Sequence, residues 1–429
     1  MAGDHELDER TGCLGDGMNL YKTARLYYKF LKWDYKYKKE FKRRRKNGIT
    51  RVGFFLISDA VFSLLPLYEL MMQESNIEPF IVVVPDTLHF KERAVEEILK
   101  IVHRMSEKYD TVLSSWDEST QKFIDFSEEC DLVCFDYQYD CLTHEYYKSA
   151  YFKEKIIPTI YSFYGYAITE WDLNVCLMEY DLTNHWRVFL PTKNAVQGIR
   201  KNERLGLNAV LVGHPKMDTY YQRQIKTEAH DTVKTIIIAP HHTIQKDKDG
   251  FNLSNFLQYH EFFLELPRLY PDIHFIFRPH ILLKSQLLNN KLWTEGQISN
   301  YFEKMAKYNN VEYQESGDFF DAFIKSDAMI HDCVSFMAEY LFTGKPVCYM
   351  RKVEVDNNNK LNEFGEGCMK VHYQAISKED IIRFIDEVVL EEKDGLKEER
   401  KQFFDMNVKF NYPHASESIF MYLKKKFRI

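Results

Sequence analysis

The chain has 429 residues, of which 45% are hydrophobic and 28% charged, and its formal net charge is −7. So long a chain exceeds one ordinary hydrophobic core, and we expect two domains of a soluble globular protein. The acidic net charge excludes a general nucleic-acid-binding role. The sequence has no apolar run that would span a bilayer, no signal-peptide pattern and no CxxC pair among its eight cysteines. These features predict a cytoplasmic protein with reduced thiols and no zinc site.

Residues 1–50 carry an excess of positive charge that the rest of the chain lacks. We expect disorder over 1–19 and then a basic amphipathic helix over 21–46, where twelve Lys or Arg residues stand against two acids. Leu26, Phe30, Trp33 and Tyr37 recur at helical spacing and predict one apolar face with basic flanks. The helix is predicted to adsorb to the anionic inner face of the plasma membrane, and its removal is expected to leave the fold intact. The alternatives are a basic helix packed on the domain and a contact with a polyanionic acceptor.

Two successive series of strands and helices follow this extension. Near-continuous apolar runs predict buried parallel strands at 51–57, 79–85, 131–135 and 157–163, and a second series at 235–242, 274–280, 311–315, 328–332 and 346–350. Helices are predicted between them, including one over 119–130. The pattern predicts an α/β, GT-B-like chain in which two Rossmann-like domains face a cleft. The predicted bounds are 1–50 for the extension, 51–215 and 216–400 for the two domains, and 401–429 for helices that cross back to the first domain.

The most informative segment is 326–350, SDAMIHDCVSFMAEYLFTGKPVCYM. Its pattern predicts a strand that stops at Asp332, a loop of small residues, a helix over 336–342 and a second strand. Such a loop presents free backbone N–H groups at the positive end of a helix dipole, which is a ready site for phosphate. An ordinary βα turn is the alternative. Lys345 belongs to a turn before the second strand, with a phosphate contact as its alternative role.

The same segment resembles the donor-binding signature of the CDP-glycerol glycerophosphotransferase family, the teichoic-acid polymerases and primases. The residues in register with that signature are Ser326, Asp327, Asp332, Ser335, Tyr340, Lys345, Pro346 and Tyr349. The chain departs from it where His331 replaces a Thr, Cys333-Val334 replaces Tyr-Ser and Ala338-Glu339 replaces Phe-Asp. Three further segments resemble the family in the same order: GHPKMD at 213–218, RPH at 278–280 and the closing segment from 415 to 419.

The resemblance implies that the second domain binds the nucleotide diphosphate of a CDP-activated donor and that the first domain binds the acceptor. Ser335 and the N–H groups of Val334 and Phe336 are expected to hold the diphosphate, and Glu339 to accept hydrogen bonds from the ribose hydroxyls. Asp332 is expected to orient this loop by accepting its N–H groups. A helix-capping Ser335 and a surface Glu339 are the alternatives.

Further candidates follow other strands of the second series. Arg278 and His280 are expected to reach the same diphosphate, with His280 in a catalytic role. His241 and His242 follow another strand, and we expect at least one of them, with His242 as the catalytic candidate, to bind phosphate or to act in catalysis. One exposed and one packed histidine is the alternative. His214, in the GHPKMD segment, is a further candidate for the donor site.

The general base is the part of the family pattern that this chain lacks. The family carries a W-H-G motif whose His is thought to deprotonate the acceptor, and the counterpart here is Phe163-Tyr164-Gly165. Tyr164 is a poor base near neutral pH because its ordinary pKa is about 10. Asp59 and Asp136, each placed after a predicted strand, are the substitutes, and a helix-capping role is the alternative for both.

The function implied by the resemblance is transfer of glycerol phosphate, or of a related polyol phosphate, from a CDP-activated donor to a hydroxyl of a cell-surface polysaccharide or a lipid-linked precursor. CMP is released, and teichoic acid or capsule synthesis in a bacterial envelope is the expected setting. No cofactor or metal is expected, apart from a loosely held Mg²⁺ on the diphosphate. The alternatives are a GT-B glycosyltransferase that uses a UDP- or CMP-sugar, and an inactive homologue that binds polymer or acts as a scaffold.

Overall fold

The structure, a computed structural model, describes residues 20–59, 62–200, 206–227, 233–245, 252–315, 317, 319–352 and 360–429. The strands of the described residues are β1 (Thr50–Leu56), β2 (Ile77–Val83), β3 (Val112–Ser114), β4 (Trp116–Asp117), β5 (Lys122–Phe123), β6 (Leu132–Phe135), β7 (Thr159–Ser162), β8 (Arg187–Leu190), β9 (Ala209–Leu211), β10 (Thr235–Ala239), β11 (His274–Phe277), β12 (Val311–Tyr313), β13 (Ala328–His331), β14 (Val347–Met350) and β15 (Tyr373–Ala375).

The α-helices are α1 (Leu20–Arg44), α2 (Leu65–Met72), α3 (Ala94–Ser106), α4 (Ser149–Glu154), α5 (Glu170–Asn174), α6 (Lys193–Arg200), α7 (Pro215–Gln224), α8 (Phe256–Leu269), α9 (Leu283–Asn289), α10 (Glu295–Ala306), α11 (Phe320–Lys325), α12 (Phe336–Glu339), α13 (Glu363–Lys370), α14 (Lys378–Arg383), α15 (Lys397–Phe403) and α16 (Ala415–Phe427). Short 3₁₀ turns lie at Lys91–Arg93, Asp140–Leu142, Glu145–Tyr147, Cys176–Met178, Tyr180–Thr183 and Tyr340–Thr343, and π-helical turns at Phe384–Leu390 and Phe404–Val408. Within the described ranges, no helix is both long enough and apolar enough to cross a bilayer.

The chain divides into two compact units. Unit 1 comprises Met1–Tyr166, Leu173–Thr219 and Phe410–Ile429, and unit 2 comprises Ala167–Asp172 and Tyr220–Lys409. The division after Thr219 lies close to the predicted boundary at 215. The last segment is shorter than predicted, because residues 401–409 group with unit 2 and only the stretch from Phe410 onward groups with unit 1.

Unit 1 is built on a parallel sheet of seven described strands in the order β3-β2-β1-β6-β7-β8-β9. Strands β1, β6, β7 and β8 are buried along nearly their whole length, which explains their unbroken apolar runs in the sequence. The chain first winds outward from β1 to β3 and then returns to the other side of β1 with β6. This reversal is the arrangement of a Rossmann-like sheet, and it opens a crevice at the carboxyl ends of β1 and β6.

Unit 2 repeats the same topology in a parallel sheet of six described strands, in the order β12-β11-β10-β13-β14-β15. The winding order reverses between β10 and β13, which are paired from Ile236 with Ala328 to Ala239 with His331. Ligands of doubly wound sheets bind outside the carboxyl ends of the strands at such a reversal. The second crevice is therefore flanked by the residues that directly follow β10 and β13.

The predicted helix over 119–130 is wrong. The side chain of Asp117 accepts hydrogen bonds from the backbone N–H and hydroxyl of Ser119 and from Thr120. These bonds close a turn between β4 and β5, which pair antiparallel. Asp, Ser and Thr stabilise turns by such local side-chain bonds, and here they override the helical spacing of the apolar residues.

Helix α1 forms as predicted, but part of its predicted apolar face is turned inward. Tyr37 and Phe41 are buried in the core of unit 1, and the Phe41 ring stacks on Phe427 of α16 at a centroid distance of 4.2 Å. Phe30 lies under the guanidinium of Arg187, 5.0 Å from its ring centroid. The carboxyl half of α1 is therefore part of the domain, and removing it would leave a hole in the core, contrary to the expectation that the fold tolerates its loss.

The outward side of α1 carries a different set of aromatic and aliphatic residues. Tyr28, Leu31 and Tyr35 are 67%, 48% and 67% exposed, and they lie three and four residues apart on one helical face. Trp33, from the predicted face, is only 38% exposed. We call Tyr28, Leu31 and Tyr35 the outer face of α1.

Candidate functional site

The reversal point of unit 2 brings His280 close to the adjacent pair His241 and His242. His241 and His242 follow β10, and His280 follows β11. The ring centroids lie 4.2 Å apart for His241 and His242, 4.1 Å for His242 and His280, and 5.2 Å for His241 and His280. All three side chains are half-buried. We call them the three-histidine cluster.

Asp332 binds the backbone of the segment that carries His241. Its carboxylate is fully buried and accepts the backbone N–H of His241 at 2.6 Å and that of Asn255 at 2.5 Å. Burial raises the pKa of this carboxyl to about 6, against the effect of the two N–H groups. Asp332 was predicted to orient its own loop, but the backbone groups that it binds in the structure belong to the segments after β10 and before α8.

The imidazoles of His241 and His280 favour the neutral form because burial lowers their pKa values. Burial, and then the neighbouring His242, lower the pKa of His280 to about 3. Burial also lowers the pKa of His241 well below its ordinary value, and the other two rings of the cluster and His331 add to the effect. These rings therefore interact with a ligand by hydrogen bonds and contribute no positive charge of their own in the free protein.

The backbone around the cluster fixes which ring nitrogen carries the hydrogen. Nδ1 of His280 accepts the backbone N–H of Leu282 at 3.1 Å. Nδ1 of His241 accepts the backbone N–H of Thr243 at 3.4 Å and lies 2.9 Å from the Thr243 hydroxyl. Since a neutral imidazole has one hydrogen, both rings carry it on Nε2. His241 and His280 are thus set up to donate Nε2–H to an acceptor such as a phosphate oxygen.

A metal ion fits this arrangement less well than an anion. The sequence predicted no metal site, yet the cluster is the one group among the described residues whose ligand atoms, within 4.8 Å of one another, are close enough to hold a metal ion. A metal-bound histidine ligates through a bare nitrogen and donates from the other one to a carbonyl or carboxylate. In His280 and His241 the bare Nδ1 already accepts a backbone N–H, and the Nε2 carries hydrogen.

Arg278 is close to the cluster in sequence but is engaged elsewhere. Its guanidinium donates to the Gln314 side chain at 2.8 Å and to the carbonyl of Gly317. These bonds tie the end of β11 to the segment after β12. The predicted diphosphate contact of Arg278 stays a prediction, and its observed contacts support the loop that borders the site.

The loop after β13 differs from the predicted helix-terminus site. The helix that was predicted to continue to residue 342 is a single α-turn, α12, followed by the 3₁₀ turn Tyr340–Thr343. The backbone N–H groups of Phe336 and Ser335 donate to the Cys333 thiol. Burial raises the pKa of this thiol to about 12, and the two N–H groups oppose the rise. Ser335 is exposed and makes no side-chain capping bond, and Val334 is half-buried. One turn supplies little of a helix dipole, so the three-histidine cluster carries more of the site than this loop does.

Glu339 lies in α12 and is buried, with 1% of its surface exposed. The alternative of a surface Glu339 is therefore wrong. Its charge raises the pKa of the Cys333 thiol, which places the carboxylate beside the loop after β13. A buried carboxylate at this position suits the predicted role as an acceptor for ribose hydroxyls, which stays a prediction.

Several residues shared with the family signature hold the fold together. The Ser326 hydroxyl lies 2.9 Å from the hydroxyl of Tyr340, and Asp327 accepts a backbone N–H from β10 at 2.8 Å. Lys345 donates from Nζ to two backbone carbonyls of α11, each at 2.8 Å. The signature is thus largely a packing motif, and the phosphate contact considered for Lys345 is opposed by its engagement with the end of a helix.

In unit 1, one of the two candidate bases lies at the reversal point of the sheet. Asp136 directly follows β6, and its carboxylate accepts the backbone N–H of Ser63 at 3.1 Å. Burial raises the pKa of Asp136 well above its ordinary range, against the effects of Ser63 and of the Lys216 ammonium. A carboxylate with a raised pKa binds a proton more strongly than an ordinary one, which is the property a general base needs.

Asp59 is placed differently. Both of its carboxylate oxygens bind the guanidinium of Arg104 in α3, at 2.7 and 2.9 Å. Both oxygens of this carboxylate are therefore engaged by the guanidinium and are not directed at a substrate hydroxyl. Asp136 is the better candidate of the two.

The segment that replaces the family's W-H-G motif follows β7. Tyr164 is 48% exposed, and its backbone carbonyl accepts a hydrogen bond from Lys216 Nζ at 3.2 Å. His214 is buried in unit 1 and packs edge-on against Tyr166 at a centroid distance of 5.1 Å. Burial, and then Lys216, lower the pKa of His214 well below its ordinary value. The predicted donor contact of His214 stays a prediction, since its described surroundings belong to the unit assigned to the acceptor.

The sequence did not reveal why the GHPKMD and closing segments occur together. Asp218 is buried, and its carboxylate accepts the N–H groups of Ala415 at 3.3 Å and Ser416 at 2.7 Å, at the start of α16. Gly213, at φ +92°, passes so close to Phe410 that a Cβ would lie 2.1 Å from its carbonyl oxygen. The two segments are therefore two sides of one joint in unit 1. Their shared occurrence in the family pattern was the only available signal.

Comparison with known proteins supports the fold. No protein-family model matches the chain, and no curated protein matches it. Among solved structures, the wall teichoic acid polymerase TagF is 13% identical, with 95% of this chain and 97% of that chain covered and a TM-score of 0.56. UDP-GlcNAc 2-epimerase from Neisseria meningitidis, bound to UDP-GlcNAc, is 14% identical, with 88% and 99% covered and a TM-score of 0.55. The epimerase from Methanocaldococcus jannaschii is 16% identical, with 88% and 100% covered and a TM-score of 0.54.

These likenesses agree with the two Rossmann-like sheets described above. The chain therefore has the GT-B-type fold that TagF and the UDP-GlcNAc 2-epimerases share, and the predicted resemblance to the glycerophosphotransferases is confirmed at the level of that fold.

Proposed function

We propose that this chain is a transferase that moves glycerol phosphate, or a related polyol phosphate, from a CDP-activated donor to a hydroxyl of a cell-surface polysaccharide or its lipid-linked precursor. The observation that carries the proposal is the three-histidine cluster at the reversal point of unit 2. Its His241 and His280 present Nε2–H groups at the place where doubly wound sheets bind nucleotides. The motif resemblance and the TagF likeness favour a CDP-polyol as the donor.

The reaction asks two things of the protein. The acceptor oxygen forms a bond to the alcohol-bearing phosphorus, the bond from that phosphorus to the bridging oxygen breaks, and its electron pair leaves with CMP. In the proposal, the cluster donates hydrogen bonds to phosphate oxygens as charge moves onto CMP. Asp136, whose raised pKa suits it to the task, accepts the proton of the acceptor hydroxyl.

A panel of activated donors tests the donor assignment. The full chain is incubated with CDP-glycerol, CDP-ribitol, UDP-GlcNAc and a CMP-sugar, with a glycerol-phosphate-primed or polysaccharide acceptor, and the released nucleotide is measured. CMP released from a CDP-polyol supports the proposal. UDP from UDP-GlcNAc, or CMP from the CMP-sugar alone, contradicts it. Nucleotide binding without turnover of any donor favours the inactive homologue.

Matched variants test the proposed roles. His280→Asn is expected to lower kcat/KM by about 10²–10³, as the loss of an oxyanion donor does. His274→Asn, at the start of the strand that precedes His280 and partly exposed, is the control and is expected to change little. Equal losses in both variants would contradict a special role for the cluster.

The two candidate bases are tested as a pair. Asp136→Asn is expected to lower kcat by about 10²–10⁴, because the acceptor proton has no base to receive it. Asp59→Asn removes only the ion pair with Arg104 and is expected to cost about 0.2–1 kcal/mol of stability, with kcat preserved. A loss of kcat in Asp59→Asn and not in Asp136→Asn would reverse the assignment.

A nucleotide-sugar enzyme is the second candidate. Two observations favour it: the His expected in the acceptor domain is replaced by Tyr164, and solved structures of the same fold include UDP-GlcNAc 2-epimerases. The UDP-GlcNAc arm of the donor panel separates two enzymes. A sugar transferase joins the sugar to the acceptor and releases UDP, whereas an epimerase forms the 2-epimer or releases UDP without an acceptor.

We also propose that the protein acts in the cytoplasm at the inner face of the plasma membrane and that the outer face of α1 makes the contact. Tyr28, Leu31 and Tyr35 form an exposed strip, with Lys32 and Lys39 exposed beside it. Aromatic and aliphatic side chains enter the headgroup region, and each nearby cation adds about 1 kcal/mol of attraction to an anionic surface. This strip replaces the predicted face, of which Tyr37 is buried in the domain.

Vesicle sedimentation tests the membrane contact. The double variant Leu31→Ser/Tyr35→Ser is expected to bind vesicles that contain phosphatidylglycerol at least about tenfold more weakly, since burial of one such side chain contributes about 1.5–3 kcal/mol. Met421→Ser, at an exposed position of α16 in the same unit, is the control. Unchanged vesicle binding of the double variant would rule out this face.

A further inference from the structure

Lys352 lies at the same edge of the unit 2 sheet as the three-histidine cluster. It comes two residues after β14, and β14 pairs with β13 on the side away from β10. In a parallel sheet the carboxyl ends of neighbouring strands lie at one edge. Sequence reasoning did not single out Lys352, because a lysine after a strand carries no motif of its own.

The surroundings of Lys352 leave its positive charge poorly compensated. The side chain is half-buried, and among the described residues its ammonium donates to the side-chain oxygen of Asn252. Burial lowers the pKa of Lys352, and the Asp332 carboxylate only partly opposes this. That carboxylate is also occupied, since it accepts the N–H groups of His241 and Asn255.

The other described cations near this edge have strong partners. Arg278 donates to Gln314 and Gly317. Lys284 forms an ion pair with Glu315 at 2.5 Å. Arg351 is exposed to solvent and donates to Gln374. Among the described cations at this edge, Lys352 is therefore a half-buried one that has no ion-pair partner in the described part of the chain.

A nucleoside diphosphate needs such a cation. Its phosphates carry at least two negative charges, and the neutral imidazoles of His241 and His280 supply hydrogen bonds without supplying charge. The half-buried ammonium of Lys352 has three donor hydrogens and, among the described residues, donates to Asn252. Such a group supplies both charge and hydrogen bonds, and the anion in turn relieves the cost of burying it.

We propose that Lys352 is a donor-binding residue that places its ammonium on a phosphate oxygen of the nucleotide diphosphate, next to the three-histidine cluster. The inference rests on the proposed function, because it assumes that the cluster binds a nucleoside diphosphate. Lys352 acts on binding and contributes no proton transfer. Its removal is expected to weaken every ligand that carries the diphosphate and to spare ligands that lack it.

Calorimetric binding to the full chain tests this assignment with CDP, inorganic pyrophosphate and cytidine as probes. Lys352→Met is expected to weaken CDP and pyrophosphate by about tenfold or more, the usual effect of losing a hydrogen bond to a charged group, and to leave cytidine unchanged. Lys352→Arg is expected to restore most of the affinity because it keeps the charge. Arg351→Met is the control, since this neighbouring cation is directed toward Gln374 instead.

The outcomes separate this inference from the proposed function. Unchanged CDP affinity in Lys352→Met, together with a loss in His280→Asn, overturns the role of Lys352 and leaves the site standing. A wild-type chain that binds none of the phosphate probes overturns the proposed function itself. If Lys352→Met is poorly folded by circular dichroism, Lys352→Gln takes its place, and equal losses for CDP and cytidine would mark a structural effect and refute the assignment.

Discussion

Replacing Asp332 by Asn is expected to have different effects on stability at acidic and at neutral pH. The buried carboxylate accepts two backbone N–H groups, from His241 and Asn255. An Asn side chain has one oxygen acceptor, so one N–H loses its partner, at a cost of about 1–3 kcal/mol at any pH. The variant also removes a buried carboxyl whose pKa burial raises from 3.8 to about 6.

The sign of the pH dependence follows from the raised pKa. A carboxyl whose pKa is higher in the folded than in the unfolded state favours folding when protonated, and this stability is fully present below about pH 4 and lost as pH rises through about 6. At pH 7 the buried carboxyl costs about 3 kcal/mol of stability, and at pH 5 this cost is about 1 kcal/mol smaller because part of the carboxyl is protonated. Relative to wild type, Asp332→Asn is therefore expected to lose about 1 kcal/mol of stability when the pH is lowered from 7 to 5.

Urea unfolding of both proteins at pH 5, 6 and 7 measures this difference. Other buried carboxyl groups titrate alike in the two proteins and cancel when the free energies of unfolding are subtracted. Asp272→Asn, at an exposed position, is the control and is expected to show no pH-dependent difference. If the wild type and Asp332→Asn differ by the same free energy at pH 5 and pH 7, the argument for a buried, pKa-shifted Asp332 is refuted.

Three further outcomes are expected from the same structure. Gly213→Ala places a Cβ 2.1 Å from a backbone carbonyl at φ +92°, and the resulting fall in Tm should correspond to a loss of more than about 2 kcal/mol of stability. The control Gly296→Ala has open space around it and should be nearly neutral. Equal Tm values for the two variants would contradict the close contact at Gly213. Lys345→Met removes the donor to two carbonyls of α11 and should lower the free energy of unfolding by about 1–3 kcal/mol without weakening CDP binding. Weaker CDP binding in a folded Lys345→Met variant would instead support Lys345 as a phosphate contact. Addition of Zn²⁺ or Ni²⁺ should leave Tm unchanged, since the bare nitrogens of His241 and His280 already accept backbone N–H groups; a rise in Tm that His280→Asn abolishes would show that the cluster coordinates metal.

The sequence alone determined the two βα series and hence the fold class. Strands that are buried on both faces must be apolar along their length, and this constraint leaves unbroken runs such as those of β1 and β10. The residues that directly follow these strands could be named in advance, because ligands of doubly wound sheets bind at the carboxyl ends. His241, His280, Asp332 and Asp136 were identified in this way.

The local sequence pattern gave wrong predictions for elements whose ends depend on side-chain hydrogen bonds. The turn closed by Asp117 replaced a predicted helix, and α12 stopped after one turn. In both places apolar residues keep helical spacing, and hydrogen bonds within the loop decide the backbone. The sequence also did not determine which face of α1 is buried. An aromatic, basic helix presents apolar residues on more than one side, and only the packing of Tyr37 and Phe41 selects the inner one.

Only the tertiary structure decided which candidates act together and in what chemical state. It brought His280 to His241 and His242, bound Asp59 to Arg104, and joined Asp218 to the start of α16. It also fixed the hydrogen positions of His241 and His280 through backbone N–H groups of their own loops. Periodicity records whether a residue is buried, but the distances, tautomers and pKa values that make a site depend on neighbours far away along the chain.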